Sequence, residues 1–169
     1  MGGGHLMETA MPKPGDYSPD DDRQPKRLED VPAAAILLRS RSYPTRVCPR
    51  CGKTAPRHRV VQRRLHDLGN VRTGVPTDIL LTYSQHRCKP CNLFFSARQD
   101  DLAPHKSHYT RRVIDLAVRV VVEDGLTLQG ASWHLWRDHR VFIPFATIQN
   151  WVEAAGERSV RPHKQRRRS

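Results

Sequence analysis

The sequence predicts a small α+β fold in which a short antiparallel sheet precedes three helices. Three observations predict it. All four cysteines of the 169-residue chain fall in two Cys-x-x-Cys pairs, Cys48/Cys51 and Cys88/Cys91. At that spacing one tight turn presents two sulfurs to one point. Between the pairs, Thr77 to Tyr83 alternates, with Ile79, Leu81 and Tyr83 on one face and Asp78, Leu80 and Thr82 on the other, which is the period of a half-buried strand. From Tyr109 onward the apolar period becomes helical.

Composition bounds the answer. Hydrophobic residues make up 37% of the chain and aromatic residues 7%, which is low for one large core. No run approaches the ~18 apolar residues that span a bilayer, and Met1-Gly2-Gly3-Gly4-His5 does not open a signal peptide. The expectation is a reducing, cytoplasmic location with no membrane partner. Charge is unevenly placed: residues 1–30 carry seven acids and four bases, net −3, so the +12 of the whole chain leaves +15 for residues 31–169. A folded part this basic points to a polyanion, and nucleic acid is the usual one; a merely soluble basic protein is the plainer alternative.

Residues 1–42 are expected to be a disordered, acidic and polar tail, because Gly, Pro and Asp are frequent and Asp20-Asp21-Asp22 is a solvated charge run. It contains one apolar patch, Ala33 to Leu38. With Asp30 and Pro32 before it, this patch reads as one or two helical turns or as an edge strand, and periodicity does not decide.

Residues 43–97 are expected to form the sheet. Each cysteine pair encloses one proline and one basic residue, Pro49-Arg50 and Lys89-Pro90, and is followed by Gly52 or Asn92. These two residue types enter the left-handed conformation most readily. Arg59 to Leu65 is β-compatible, Asn70 to Gly74 supplies turn residues, and Leu93-Phe94-Phe95 leaves the second pair as a short strand. Four thiolates at this spacing fit one structural Zn²⁺, closed by sulfur on all sides with no place for a catalytic water. The rival reading, two disulfides, requires an oxidising compartment. Pair, strands, pair, strand is the layout of a zinc ribbon, a sheet so small that the metal substitutes for a core.

Residues 98–108 read as a polar linker around Pro104, and residues 109–156 as a helix-turn-helix unit. With the four cysteines completing one site, His58, His66, His86, His105 and His108 read as surface or phosphate-contacting residues. In the first helix Val113, Ile114, Ala117, Val118, Val121 and Val122 form the inward stripe, and Gly125 ends it. Thr127 caps the second helix, whose inward positions are Leu128, Ala131, Ser132 and Leu135. Gly130 and Ala131 there are expected to admit a neighbouring helix. Trp133, Trp136 and Trp151 read as packing residues. Pro144 opens the third helix, which buries Phe145, Ile148, Val152 and Ala155 and turns Asn150 outward, flanked by Ala146, Thr147, Gln149 and Glu153. Such a surface suits the DNA major groove: Asn and Gln pair with adenine, while Ala or a Thr methyl meets the thymine methyl. An ordinary polar helix face is the alternative. Arg140 and the basic tail 157–169, with Arg161, Lys164, Arg166, Arg167 and Arg168, are expected to meet phosphates.

Two stretches carry a family resemblance: Arg87-Cys88-Lys89-Pro90-Cys91-Asn92-Leu93-Phe94-Phe95 and Pro144-Phe145-Ala146-Thr147-Ile148-Gln149-Asn150-Trp151-Val152. With the order ribbon, linker, helix-turn-helix, they make residues 43–156 resemble the amino-terminal region of bacterial insertion-sequence transposases of the zinc-ribbon class. The resemblance implies binding to the terminal inverted repeats of an element, a nucleoid location, and a full-length transposase or a second copy of the chain as partner. It does not extend to the ribonuclease-H-like catalytic domain, with its three separated carboxylates, because only 13 residues follow Gly156. The expectation is therefore end recognition without catalysis; a stand-alone regulator and a ribbon adaptor for protein or RNA remain alternatives.

Overall fold

The structure, a computed structural model, describes residues 24–160. The expected tail over residues 1–23 and the basic residues Arg161, Lys164, Arg166, Arg167 and Arg168 lie outside the described residues. The described chain runs through five strands and then three helices: β1 Ala35–Arg41, β2 Thr45–Val47, β3 Thr54–Asn70, β4 Val75–Cys88, β5 Leu93–Ser96, α1 Arg111–Val122, α2 Leu128–His139 and α3 Phe145–Val160. The sheet is mixed, in the order β1-β4-β3-β2, with β5 also paired to β4.

This sheet is larger than a short ribbon. Its axis is the β3–β4 hairpin, whose strands have 17 and 14 residues. The turn at its tip is set by Asn70, whose side-chain oxygen accepts from the Arg72 N–H at 2.9 Å, and by Gly74 at φ +69°. The patch at Ala33 to Leu38 does not belong to a disordered tail: Ala35 to Arg41 forms β1, laid parallel on β4 in unbroken register from Ala35↔Thr77 to Arg41↔Tyr83. A three-residue 3-10 turn at Leu28–Asp30 precedes it.

Length is possible because both ends of the hairpin find cover. Leu65, Ile79 and Leu81 are buried against Ala103 and Leu102, so the 98–108 segment is a lid on the sheet and not a free spacer. Arg63 fastens that lid. Its guanidinium donates to the Gln99 side chain at 3.1 Å, to the Pro104 carbonyl at 2.7 Å and to the Ser107 carbonyl. At the other end a small cluster of Cys48, Ala55 and Cys88, with Cys91, Leu93 and Phe95 against it, surrounds the sulfurs.

The helices share a third core, built from Tyr109, Val113, Ala117, Val120, Ala131, Leu135, Val141, Ile143 and Ile148. In α1 the buried stripe is Val113, Ala117 and Val120; Val122, expected inside, is exposed. Gly125 ends α1 at φ +72°, and Thr127 accepts from the Gly130 N–H at 3.0 Å. A Cβ on Gly130 would meet Thr127 Oγ1 at 3.0 Å, so this glycine accommodates the cap of its own helix and not a neighbouring helix. Along α3, Ile148 is buried and Trp151, Val152 and Ala155 are half-buried, whereas Phe145 is exposed. Trp151 packs edge-on to Tyr109 at 5.2 Å. Including its bulk moves the centre of the buried arc away from Phe145.

Two contacts weld helices to sheet. Asp67 of β3, 2% exposed, accepts from Thr110 Oγ1 at 2.8 Å and from the Arg112 guanidinium, with Nε at 2.6 Å. Burial alone would raise its carboxyl pKa; the Arg112, Thr110 and Leu68 hydrogen bonds outweigh burial and hold it below the usual carboxylate range. At the far end of α2, Arg140 occupies the left-handed cap position and packs against Gly69, where a Cβ would meet Arg140 Cβ and the Val75 carbonyl, each at 2.7 Å.

Gly69→Ala is expected to cost about 1–3 kcal/mol through overpacking, measured by urea unfolding. Asp67→Asn is expected to cost about 1–3 kcal/mol at neutral pH, as loss of charge-assisted bonds to a half-solvated arginine. Because the folded pKa is depressed, that stability is present above the unfolded carboxyl pKa and is lost as pH falls through the folded value. The gap between wild type and Asp67→Asn therefore closes on acidification.

Candidate metal centre and nucleic-acid interface

Each cysteine pair is the turn of a hairpin. Val47↔Thr54 closes β2–β3 around the first pair and Cys88↔Leu93 closes β4–β5 around the second. Gly52 and Asn92 adopt φ +73° and +48°, as the sequence requires of them. The chain therefore folds back after each second sulfur: the Gly52 N–H donates to the Cys48 carbonyl at 3.0 Å and the Asn92 N–H to the Lys89 carbonyl at 3.1 Å. The long β3–β4 hairpin brings the two turns together.

All four cysteines are free thiols, and their sulfurs lie within 4.8 Å of one another, Cys51 and Cys88 at 3.5 Å. Four sulfurs each ~2.3 Å from a central Zn²⁺ stand ~3.8 Å apart in a regular tetrahedron, so the donor set and its spacing fit the metal. Cys48 and Cys88 are buried and Cys51 is exposed. The electrostatics also call for a cation. The Cys48 thiol is pulled down to about 7, first by the Cys51 backbone N–H, while Cys91 is pushed up to about 12, first by its hydrogen bond with Cys51. One thiolate forms readily and opposes the next, and a bound divalent ion removes that opposition. Among the described residues this is the one group of three or more Cys, His, Asp or Glu side chains able to converge on a metal.

The histidines divide. His86 is fully buried, not a surface residue: Ser84 Oγ lies 2.8 Å from its Nε2, and its ring stacks on Phe95. It braces the sheet behind the cysteine cluster. His66 is half-buried, with Nδ1 2.8 Å from buried Asp78. His105 and His108 are exposed.

On α3, Ala146, Gln149 and Asn150 are exposed and Thr147 is half-buried. Gln149 Nε2 donates to Glu153 at 2.9 Å. Thr147 turns into a groove of ≈ 700 Å³ between α3 and the 104–109 segment, bordered by His66, His105, Lys106, His108 and Arg158 and floored by Ile114 and Trp151. The two cations of this border, Lys106 and Arg158, come from separate elements, so their convergence is not apparent in the linear sequence. Arg140 corrects an expectation. It is 1% exposed, with its guanidinium 5.1 Å over the Trp136 ring, so it packs α2 to the sheet and does not face a phosphate. Among the described residues no helix is long and apolar enough to cross a membrane.

No protein family, curated protein or solved structure matches this chain.

Reduced protein is expected to carry one Zn²⁺ per chain by elemental analysis, and Cys88→Ser is expected to abolish that stoichiometry and open the β2–β5 end of the sheet. Zinc occupancy should fall on acidification, because protons compete for the same four sulfurs.

Proposed function

We propose that this chain is a zinc-stabilised, sequence-specific binder of duplex DNA. The observation that carries the reading is the pairing of an exposed α3 face, Ala146, Gln149 and Asn150, with the cation-bordered groove beside it. A helix laid in the major groove needs small residues where it approaches base edges closely. It also needs amide side chains to pair with adenine, and cations on its flank for the two phosphate rails. Lys106, Arg158 and the groove histidines take the phosphate role that Arg140 does not fill. Exposed Arg57, Arg59 and Arg64 extend positive charge along β3. Glu153 and Glu157 occupy the later turns of the exposed α3 face and repel phosphate, which confines base reading to the first two turns.

Within that class the reading narrows to the end-recognition part of an insertion-sequence transposase, bound to terminal inverted repeats in the nucleoid. Two knuckle hairpins on one long hairpin suit a zinc ribbon, and the three helices after it suit a helix-turn-helix unit, in the order of that family. The reading assigns binding without cleavage. Strand transfer of this type uses metal ions held by converging carboxylates, whereas Asp67, Asp100, Asp101 and Asp138 each sit against an arginine. A four-thiolate zinc has no open position for water.

The test is fluorescence anisotropy on a duplex selected from a random library, at fixed salt. Asn150→Ala is expected to cost about 1–3 kcal/mol at one base position and to relax specificity there. Lys106→Ala and Arg158→Ala are expected to weaken all duplexes alike and to flatten the salt slope. Equal affinity for every duplex, or preference for single-stranded RNA, would overturn the reading.

A further inference from the structure

β1 is the outermost strand on its side of the sheet. Ile36, Leu37 and Leu38 are 40%, 43% and 75% exposed. Successive strand residues point to opposite faces, so three exposed neighbours mean that the described residues fully cover neither face of β1. The edge also lacks the usual protections: from Ala35 to Leu38 there is no charge, no proline and no break in register. Its far end is tied to the 98–101 segment, since Arg41 Nη2 donates to Asp101 at 2.9 Å and Nη1 to the Arg98 carbonyl at 2.9 Å.

We infer that β1 pairs edge to edge with β1 of a second copy of this chain, antiparallel, about a two-fold axis through Leu37, joining the two sheets into one. Register selects this occupant. Outward-facing backbone groups alternate along a strand, so in antiparallel self-pairing the axis falls on a residue and not between two. With the axis on Leu37, the two Leu37 side chains face each other and each Ile36 faces Leu38 of the other copy. Each Arg39 then faces Ala35, and no like charges are opposed. An axis on Leu38 would set Leu37 against Arg39, and one on Arg39 would oppose two guanidiniums directly, which is destabilising. An axis on Ile36 opposes no charges either, but it sets Leu37 and Leu38 against Ala35 and Ala34, so the Leu37 axis alone matches the three large apolar side chains to one another. In that register Ile36 and Leu38 of both copies form a continuous strip on one face, beside the Leu80 that pairs with Leu38. The inference depends on the sheet edge alone and stands apart from the DNA reading.

Sedimentation equilibrium of the full, reduced, zinc-loaded chain without DNA tests it. A monomer–dimer equilibrium is expected at micromolar concentration. Leu37→Arg should raise the dimer dissociation constant about tenfold or more, with zinc content and circular dichroism unchanged. Ile36→Lys and Leu38→Glu should each weaken the dimer alone, and an equimolar mixture of the two should recover it, because position 36 of one copy faces position 38 of the other. A wild-type chain that stays monomeric, a dimer indifferent to Leu37→Arg, or a mixture that shows no recovery would overturn the proposal.

Discussion

The structure depends on one buried carboxylate. Asp67 is the last residue of β3 paired with β4 before the register shifts, from Asp67↔Thr77 to Asn70↔Val75, and it reaches out of the sheet to the start of α1. Thr110 occupies the cap position of that helix, yet its hydroxyl donates to Asp67 instead of capping α1. A cap is thus exchanged for an anchor. The backbone reinforces it: the His66 N–H donates to the His108 carbonyl at 2.7 Å and the Thr110 N–H to the His66 carbonyl at 3.0 Å. With the helix start fixed on the sheet, Gly69 can meet Arg140 closely, and the α2–α3 connector is buried through Val141, Phe142 and Ile143. The orientation of α3 relative to the basic 104–109 segment follows from these contacts.

Each of the three cores is small, and two of them are closed by something other than apolar bulk. The helical core is closed by Tyr109, whose hydroxyl donates to the Phe142 carbonyl at 3.2 Å. The sheet core is closed by Arg63 and its carbonyl partners. The cysteine cluster has little apolar area of its own, and a metal ion held by its four sulfurs would supply folding free energy there. The cysteine cluster thus lies at the far end of the hairpin, while α3 is positioned from the near end.

Local rules carried far in the sequence. The cysteine spacing, the left-handed residues after each pair, the Thr127 cap and the Gly125 stop are properties of a few neighbouring residues, and each appears in the structure where the sequence places it. What was not legible depends on distant partners. Ala33 to Leu38 has no diagnostic period because the described residues fully cover neither face of β1, and only its pairing with β4 makes it a strand. Arg140 looks like a phosphate contact in the sequence because nothing nearby in the chain shows that Gly69 and Trp136 will enclose it. Phe145 looks buried until the larger Trp151 claims the inner arc. His86 is polar by type, but Ser84 and Phe95 provide a buried place for it.

The central claim is that α3 and the groove beside it form one nucleic-acid surface, carried on a sheet that zinc completes. Amide hydrogen exchange of the zinc-loaded chain, with and without a selected duplex, tests it most directly. The account predicts that duplex slows exchange in two separated stretches together, the opening turns of α3 and the 104–108 segment, and leaves the turn at residues 71–74 unchanged. Protection confined to the cysteine turns, or none on α3, would contradict it.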